Sequence, residues 1–196
     1  MTCLTTWHSS SILNIIHAVI SKEDILKISR ELIRQQGWPA LNIRSVAAAC
    51  GVEEELFMKR YINAALLYAA LAMAGGVFYR EFTKFNGYTA KTALSVVHTH
   101  YFLLGMAFFL LLLLLEKGFS FTGAKTRRVL TVYHIGLNLT AVMLVVRGVT
   151  QVVLPTISSG LSAAISGIAG IGHILLGVSM LMLLAEIKGS VSAAQR

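Results

Sequence analysis

The feature that most narrows what this chain can fold into is Ala93–Leu115, 23 consecutive residues without a charged side chain, ending in the unbroken run FFLLLLLL. A hydrocarbon core of about 30 Å takes about 20 apolar residues in helical form. Three further segments, Tyr61–Tyr79, Val129–Val153 and Leu161–Glu186, meet that length. Their apolar character is continuous rather than alternating, and lipid offers no partner to an open strand edge, so helices are the only spanning form that fits. The expected fold is all-α: a four-transmembrane-helix bundle with breaks at Gly87 and in the PTISSG stretch of Pro155–Gly160.

Composition locates the boundary of this bundle. A soluble domain usually carries about a quarter charged residues; here the figure is 13% against 56% hydrophobic, and the deficit falls after Tyr61. Residues 1–57 therefore read as a short helical N-terminal extension and residues 58–196 as an integral membrane domain. The run ILNIIHAVI (Ile12–Ile20) has neither a basic stretch before it nor a small-residue cleavage site after it, which excludes a secretory signal. Cys3 and Cys50 have no metal spacing and imply no disulfide framework.

The net charge of +8 could serve nucleic acid or anionic lipid, but in a membrane protein it first sets topology. Lys59, Arg60, Lys117, Lys125, Arg127, Arg128, Lys188 and Arg196 fall on one side and Arg80, Lys84 and Lys91 on the other, eight against three. Both termini are accordingly expected in the cytoplasm of a multi-pass protein of a bacterial inner membrane. The lipid bilayer is the primary partner, and homo-oligomerisation is left open.

Polar side chains within the spans are costly in lipid and are functional candidates by default. They are His98 and His100 in the second span, His134, Asn138 and Arg147 in the third, and His173 in the fourth. Imidazole is a common ligand of haem iron and of transition metals. Residues two apart lie about 200° apart around a helix, so His98 and His100 serve different faces. His98 shares its face with Gly105, and His173 shares its face with Ser166, Gly170 and Gly177. Such small residues leave room for a flat macrocycle, or equally for close helix packing. By depth, His98 and His100 sit in the outer part of the membrane, His173 near its middle and His134 near the cytoplasmic side. A pair of His98 or His100 with His173 needs helix tilt, and His134 fits that pair poorly. Arg147, in the outer half, either neutralises a haem propionate or snorkels to headgroups. The candidate cofactor-binding set is thus His98, His100, His173 and Arg147, with haem b as the cofactor; the candidate metal ligands are His98, His134 and His173. No zinc pattern, phosphate loop or serine nucleophile motif appears, and no catalytic residue is assigned. Glu116 and Glu186 lie at span ends, which disfavours ordinary proton-driven transport.

From Met58 to Gly189 the chain resembles a bacterial family of small four-span proteins known as domain of unknown function 2871. The resemblance is most specific in GGVFYREFTKFNGYTAKTALSVVHTH and LGMAFFLLLLLLEK. It implies class and topology and no activity. The stretch ALSVVHTHYFLLG is also similar to the second helix of haem–copper oxidases and nitric oxide reductases, where a histidine followed by threonine ligates a low-spin haem; His98-Thr99 matches that pattern. The oxidase copper site has no counterpart, so oxygen reduction is not implied. The leading expectation is a small b-type haem or metal-binding membrane protein in electron transfer or sensing. Its rivals are a structural or transport-associated bundle with structural histidines, and a membrane-bound transcription regulator.

The last rival comes from ILKISRELIRQQGWPALNIRSVAAACGV (Ile25–Val52), which reads as two helices, the first ending at Gly37 and the second over Arg44–Cys50. This resembles the helix-turn-helix segment of the tetracycline-repressor (TetR) family. Where that family places its recognition helix, this chain has Glu53-Glu54-Glu55-Leu56-Phe57-Met58, and three carboxylates oppose phosphate. The family's dimerising domain has no counterpart, so DNA is not expected as a partner. Glutamate codons are purine-only, so Glu53–Glu55 are encoded by a purine run just upstream of Met58-Lys59-Arg60. That run reads as a ribosome-binding site and Met58 as a native start, with residues 1–57 a truncated repressor-like reading frame fused to the membrane gene. A tagged chromosomal copy is expected to yield a product beginning at Met58; recovery of the full-length chain alone would overturn this reading.

Overall fold

The computed structural model describes residues 22–38, 41, 45, 46, 49, 52–154 and 156–194. The chain divides into two compact units, Met1–Lys59 and Arg60–Arg196. In the first, α1 (Lys22–Gln36) opens with Glu23 and Asp24 and closes with Arg34, the charge order that complements a helix dipole. Gly37 ends it at φ +79°, its N–H bonded to the Ile33 carbonyl at 2.8 Å. The second short helix expected over Arg44–Cys50 lies largely outside the described residues, as do Cys3, Cys50, Ile12–Ile20 and the side chains of Glu53–Glu55.

The bundle is built from α2 (Val52–Phe85), α3 (Ala93–Phe119), α4 (Ala124–Val153) and α5 (Ser159–Ala194). Four stretches in them, Leu56–Phe85, Ala93–Phe119, Ala124–Val153 and Ser159–Ala193, are long and apolar enough to cross a membrane. Among the described residues every regular element is helical, as the apolar runs require. The helices outlast the apolar windows: Arg80, Lys84, Lys125 and Arg128, expected in loops, are helical. Hydropathy marks the part of a helix that lies in lipid, whereas the backbone ladder continues until a cap stops it. At the end of α2 that cap is Gly87 (φ +61°), with Gly87 N–H on Lys84 O at 3.1 Å and Tyr88 N–H on Thr83 O at 2.9 Å, a Schellman motif.

The distribution of polarity is inverted relative to a water-soluble bundle. Tyr68, Tyr133, Glu116, Thr126, Thr140 and Ser179 are fully buried, while Leu103 (66% exposed), Leu114 (67%), Ile174 (66%) and Leu181 (66%) face outward. A contiguous apolar exterior of this kind is stable only in contact with hydrocarbon. Inside, Tyr61, Ala65, Tyr68 and Ala72 form one buried stripe of α2 at helical spacing. Tyr61 and Tyr68 pack against Phe109, and Tyr68 against Tyr101, of α3; Leu112 of α3 and Tyr133, Leu137 and Ala141 of α4 are buried as well.

Helices α4 and α5 approach most closely through missing side chains. A Cβ on Gly136 would stand 2.6 Å from the Leu176 backbone nitrogen, and one on Gly172 would stand 2.7 Å from Thr140 Oγ1 and 2.9 Å from its nitrogen. Without a hydrophobic force between helices in lipid, such close packing is a main source of association. Gly172→Val, which drives methyl groups into the α4 backbone, is expected to destabilise by about 1–3 kcal/mol. Gly167→Ala, with open space around it, should stay within about 0.5 kcal/mol. Thermal unfolding of the two variants in detergent checks the contrast.

Candidate functional site

Two polar clusters lie inside the spans. The first sits where α3 leaves regular geometry. After a 3₁₀ start (Ala93–Val96) and an α turn (Val97–His100), the helix widens into a π segment (Tyr101–Ala107) before resuming as α over Phe108–Phe119. Such insertions collect at functional sites because they re-aim side chains within one helix. Within the π segment Gly105 lies against Tyr68, and a Cβ there would come within 2.5 Å of the tyrosine ring. The loosened backbone offers a carbonyl, and Tyr133 Oη donates to Leu104 O at 2.7 Å.

Around this segment three helices share one hydrogen-bond chain. Asn138 of α4 donates through Nδ2 to the His134 carbonyl at 2.8 Å and to Tyr68 Oη of α2 at 3.0 Å. Tyr101 Oη of α3 donates to Asn138 Oδ1 at 3.1 Å. With its oxygen already accepting from Asn138, Tyr68 has its own hydroxyl proton to donate, and His134 Nδ1 lies 2.6 Å away. The order Tyr101→Asn138→Tyr68→His134 follows, and the imidazole proton of His134 sits on Nε2. The His134 ring also packs in a three-ring cluster with Phe109 (centroids 4.8 Å) and Tyr68 (5.6 Å), which are themselves 5.7 Å apart. His134 is thereby committed to the interior network.

The second cluster holds the other histidines. His100 of α3 and His173 of α5 stand ring to ring, centroids 6.1 Å apart and planes perpendicular. Each Nδ1 lies 2.8 Å from the carbonyl one turn back, Val96 O for His100 and Ala169 O for His173. A carbonyl only accepts, so both Nδ1 atoms carry the proton and both Nε2 atoms keep a lone pair. This is the arrangement in which one ring nitrogen is fixed and the other is a ready ligand. The ring placed against His173 is that of His100, not of His98. His98 turns to α2, its Cγ near Gly76, and its buried Nδ1 has no hydrogen-bond partner among the described residues. Among the described residues no three side chains of His, Cys, Asp or Glu gather around one point. Gly170 and Gly177, one turn either side of His173, have open space around them. Arg147, on α4, donates to Ser162 O and Ser166 Oγ of α5, tying the two helices beyond His173.

Sequence reasoning passed over two groups. The tyrosines at 61, 68, 101 and 133 carry much of the interior, and the seven-residue spacing of Tyr61 and Tyr68 with Ala65 between them was their signal. Glu116, expected at a span end and out of reach, is only 1% exposed. The short turn after α3 folds over it, and Oε2 accepts from Thr122 N at 3.1 Å and Thr122 Oγ1 at 2.7 Å. Tyr61 Oη completes this end through Thr122 Oγ1 at 2.5 Å.

A model of a family described as protein of unknown function (DUF2871) matches residues 58–190. That is most of the chain and all four spans apart from their outermost residues, and the protein belongs to this family: it is an integral membrane protein built as a helical bundle. No curated protein and no solved structure matches the chain.

The interior network carries its own prediction. Tyr68→Phe and Asn138→Leu, separately and together, form a cycle whose coupling is expected at about 0.6–1.7 kcal/mol, the range for hydrogen bonds between membrane helices. Unfolding free energies in mixed micelles measure it, and additivity of the two single changes would refute the chain.

Proposed function

We propose that this protein is a membrane-embedded b-type haem protein in which His100 and His173 would hold the iron through their Nε2 atoms, working in electron transfer or in sensing. One observation carries the reading: two imidazoles from different helices, 6.1 Å apart, each with Nδ1 anchored on its own helix and Nε2 open. Two metal–imidazole bonds of about 2.0–2.1 Å together with the two ring radii span about 6 Å, so the spacing suits two ligands of one metal. A bare ion commonly asks for four protein ligands, and the described residues bring no third His, Cys, Asp or Glu to the pair. Haem iron needs only one or two axial partners, which favours haem over a bare ion. When bound, the group would supply a one-electron iron couple.

The chain's own residues do the rest. The Nδ1–H bonds to Val96 O and Ala169 O hold the ring planes and leave each Nε2 as the nitrogen with a lone pair. The open surroundings of Gly170 and Gly177 leave room beside His173, and Arg147, held on Ser162 O and Ser166 Oγ, is a cation on the same side of the membrane that a carboxylate would face. The same reading places the protein in a bacterial inner membrane with both termini cytoplasmic. The clustering of Lys117, Lys125, Arg127 and Arg128 around one short connection supports this, against Arg80, Lys84 and Lys91 around another.

Detergent-purified full chain from cells supplied with haem precursor is expected to show a Soret band and, on reduction, sharp α and β bands. His100→Ala or His173→Ala should abolish or strongly shift these bands, and His134→Ala should retain them. A colourless, iron-free protein would overturn the proposal and leave the histidines to packing.

A further inference from the structure

We infer that the bundle carries a binding site for one anionic phospholipid, in a groove between α4 and α5 at the end where α4 begins. From the tight crossing at Gly136 and Gly172, the residues facing each other toward Lys125 become larger. There a groove of about 620 Å³ opens, walled by Val129, Val132, Ile174, Val178 and Met182. Its hydroxyl, that of Ser179, is spent on its own helix at Leu175 O and Leu176 O, 2.7 and 3.0 Å away. The walls therefore offer no hydrogen bond to an occupant and suit a hydrocarbon chain. They extend over nine residues of α5, Ile174–Met182, or about 12 Å along the helix axis, all within a membrane span.

The end of the groove is not apolar. Lys125 and Arg128, one turn apart on α4, line it together with the hydrocarbon walls. Lys125 Nζ is paired with Glu186 Oε1 at 2.5 Å, which offsets part of its charge. Arg128 has only Nε on a protein acceptor, the Ala124 carbonyl at 3.5 Å. The rest of its guanidinium fork has no partner among the described residues and matches the geometry of a phosphate. An apolar slot within the span that ends on a cation at the edge of the span is complementary to one kind of molecule available in a bilayer: an acyl chain joined to a phosphodiester. Zwitterionic lipid would fill the slot equally well but would bring its own cation to Arg128, so the site selects net negative headgroups. The inference stands apart from the haem proposal, since His100 and His173 contribute nothing to this groove.

The test uses the full chain in detergent, titrated with phosphatidylglycerol, with phosphatidylcholine of identical acyl chains, or with inorganic phosphate, and read by native mass spectrometry and thermal shift. Phosphatidylglycerol is expected to bind one copy at least about fivefold more tightly than phosphatidylcholine, the weight of one basic group facing an anionic headgroup. Arg128→Gln should erase most of that preference while leaving phosphatidylcholine binding unchanged. Val178→Trp, which fills the slot, should weaken both lipids. Equal binding of the two lipids, or a preference that survives Arg128→Gln largely intact, would overturn the site. So would a phosphate effect equal to that of the lipid, or Val178→Cys cross-linking two copies through the groove. Unaltered melting of Arg128→Gln without lipid separates loss of the site from loss of the fold.

Discussion

Everything in this bundle follows from the absence of water around it. In hydrocarbon a backbone or side-chain polar group that finds no partner within the protein finds none at all. The chain answers by leaving leucines such as Leu103, Leu114 and Leu181 on its exterior and drawing hydroxyls and the Glu116 carboxylate into a core that they share with apolar side chains. The interior is thus held by directional bonds rather than by expulsion of apolar surface, which gains nothing when lipid tails are as apolar as leucine. Glu116 shows the rule at its strictest: a carboxylate with 1% of its surface exposed is accommodated because Thr122 offers it both a backbone and a side-chain donor.

Two modes of cohesion divide the four helices. Asn138 draws α2, α3 and α4 together, taking a hydrogen bond from Tyr101 and giving one to Tyr68. Helix α5 is outside that chain and is joined to α4 by backbone proximity at Gly136 and Gly172. Polar clamps stand beyond each end of this crossing, Arg147 with Ser162 and Ser166, and Lys125 with Glu186. The histidine pair lies where α5 meets α3, and the groove opens between α4 and α5 on the Lys125 side of their glycine contacts. Both proposed sites thus occupy seams around the one helix that the hydrogen-bond chain does not hold. A loosely hydrogen-bonded seam can accept a ligand without breaking the network that maintains the core.

Much of this was legible beforehand. The four spans needed only apolar length, and the membrane class needed only the charge deficit. His134 and Asn138 share one face by spacing alone, and the structure joins them in one network. The pairing across helices was not legible. Spacing separated His98 from His100 by about 200° but could not say which of the two would face α5, because that depends on how α3 is rotated in the bundle. The π segment at Tyr101–Ala107 changes helical phase just after both histidines, and no residue in YFLLGMA announces it. The tyrosines were equally hidden. A hydroxyl on a span is a solitary polar atom until the partner helix is in place.

The sequence by itself determined that the chain is helical, that it crosses a bilayer with four segments, and which few polar atoms enter the lipid. These follow from transfer free energies and helical rise, which are properties of each segment alone. Only the tertiary structure decided that Glu116 is buried, that His134 ends a hydrogen-bond chain, and that His100 stands beside His173 with both Nε2 atoms open. Those outcomes depend on rotation, register and crossing distance between helices. These are set by contacts such as Gly105 with Tyr68 and Gly172 with Thr140, each shared by residues far apart in the chain.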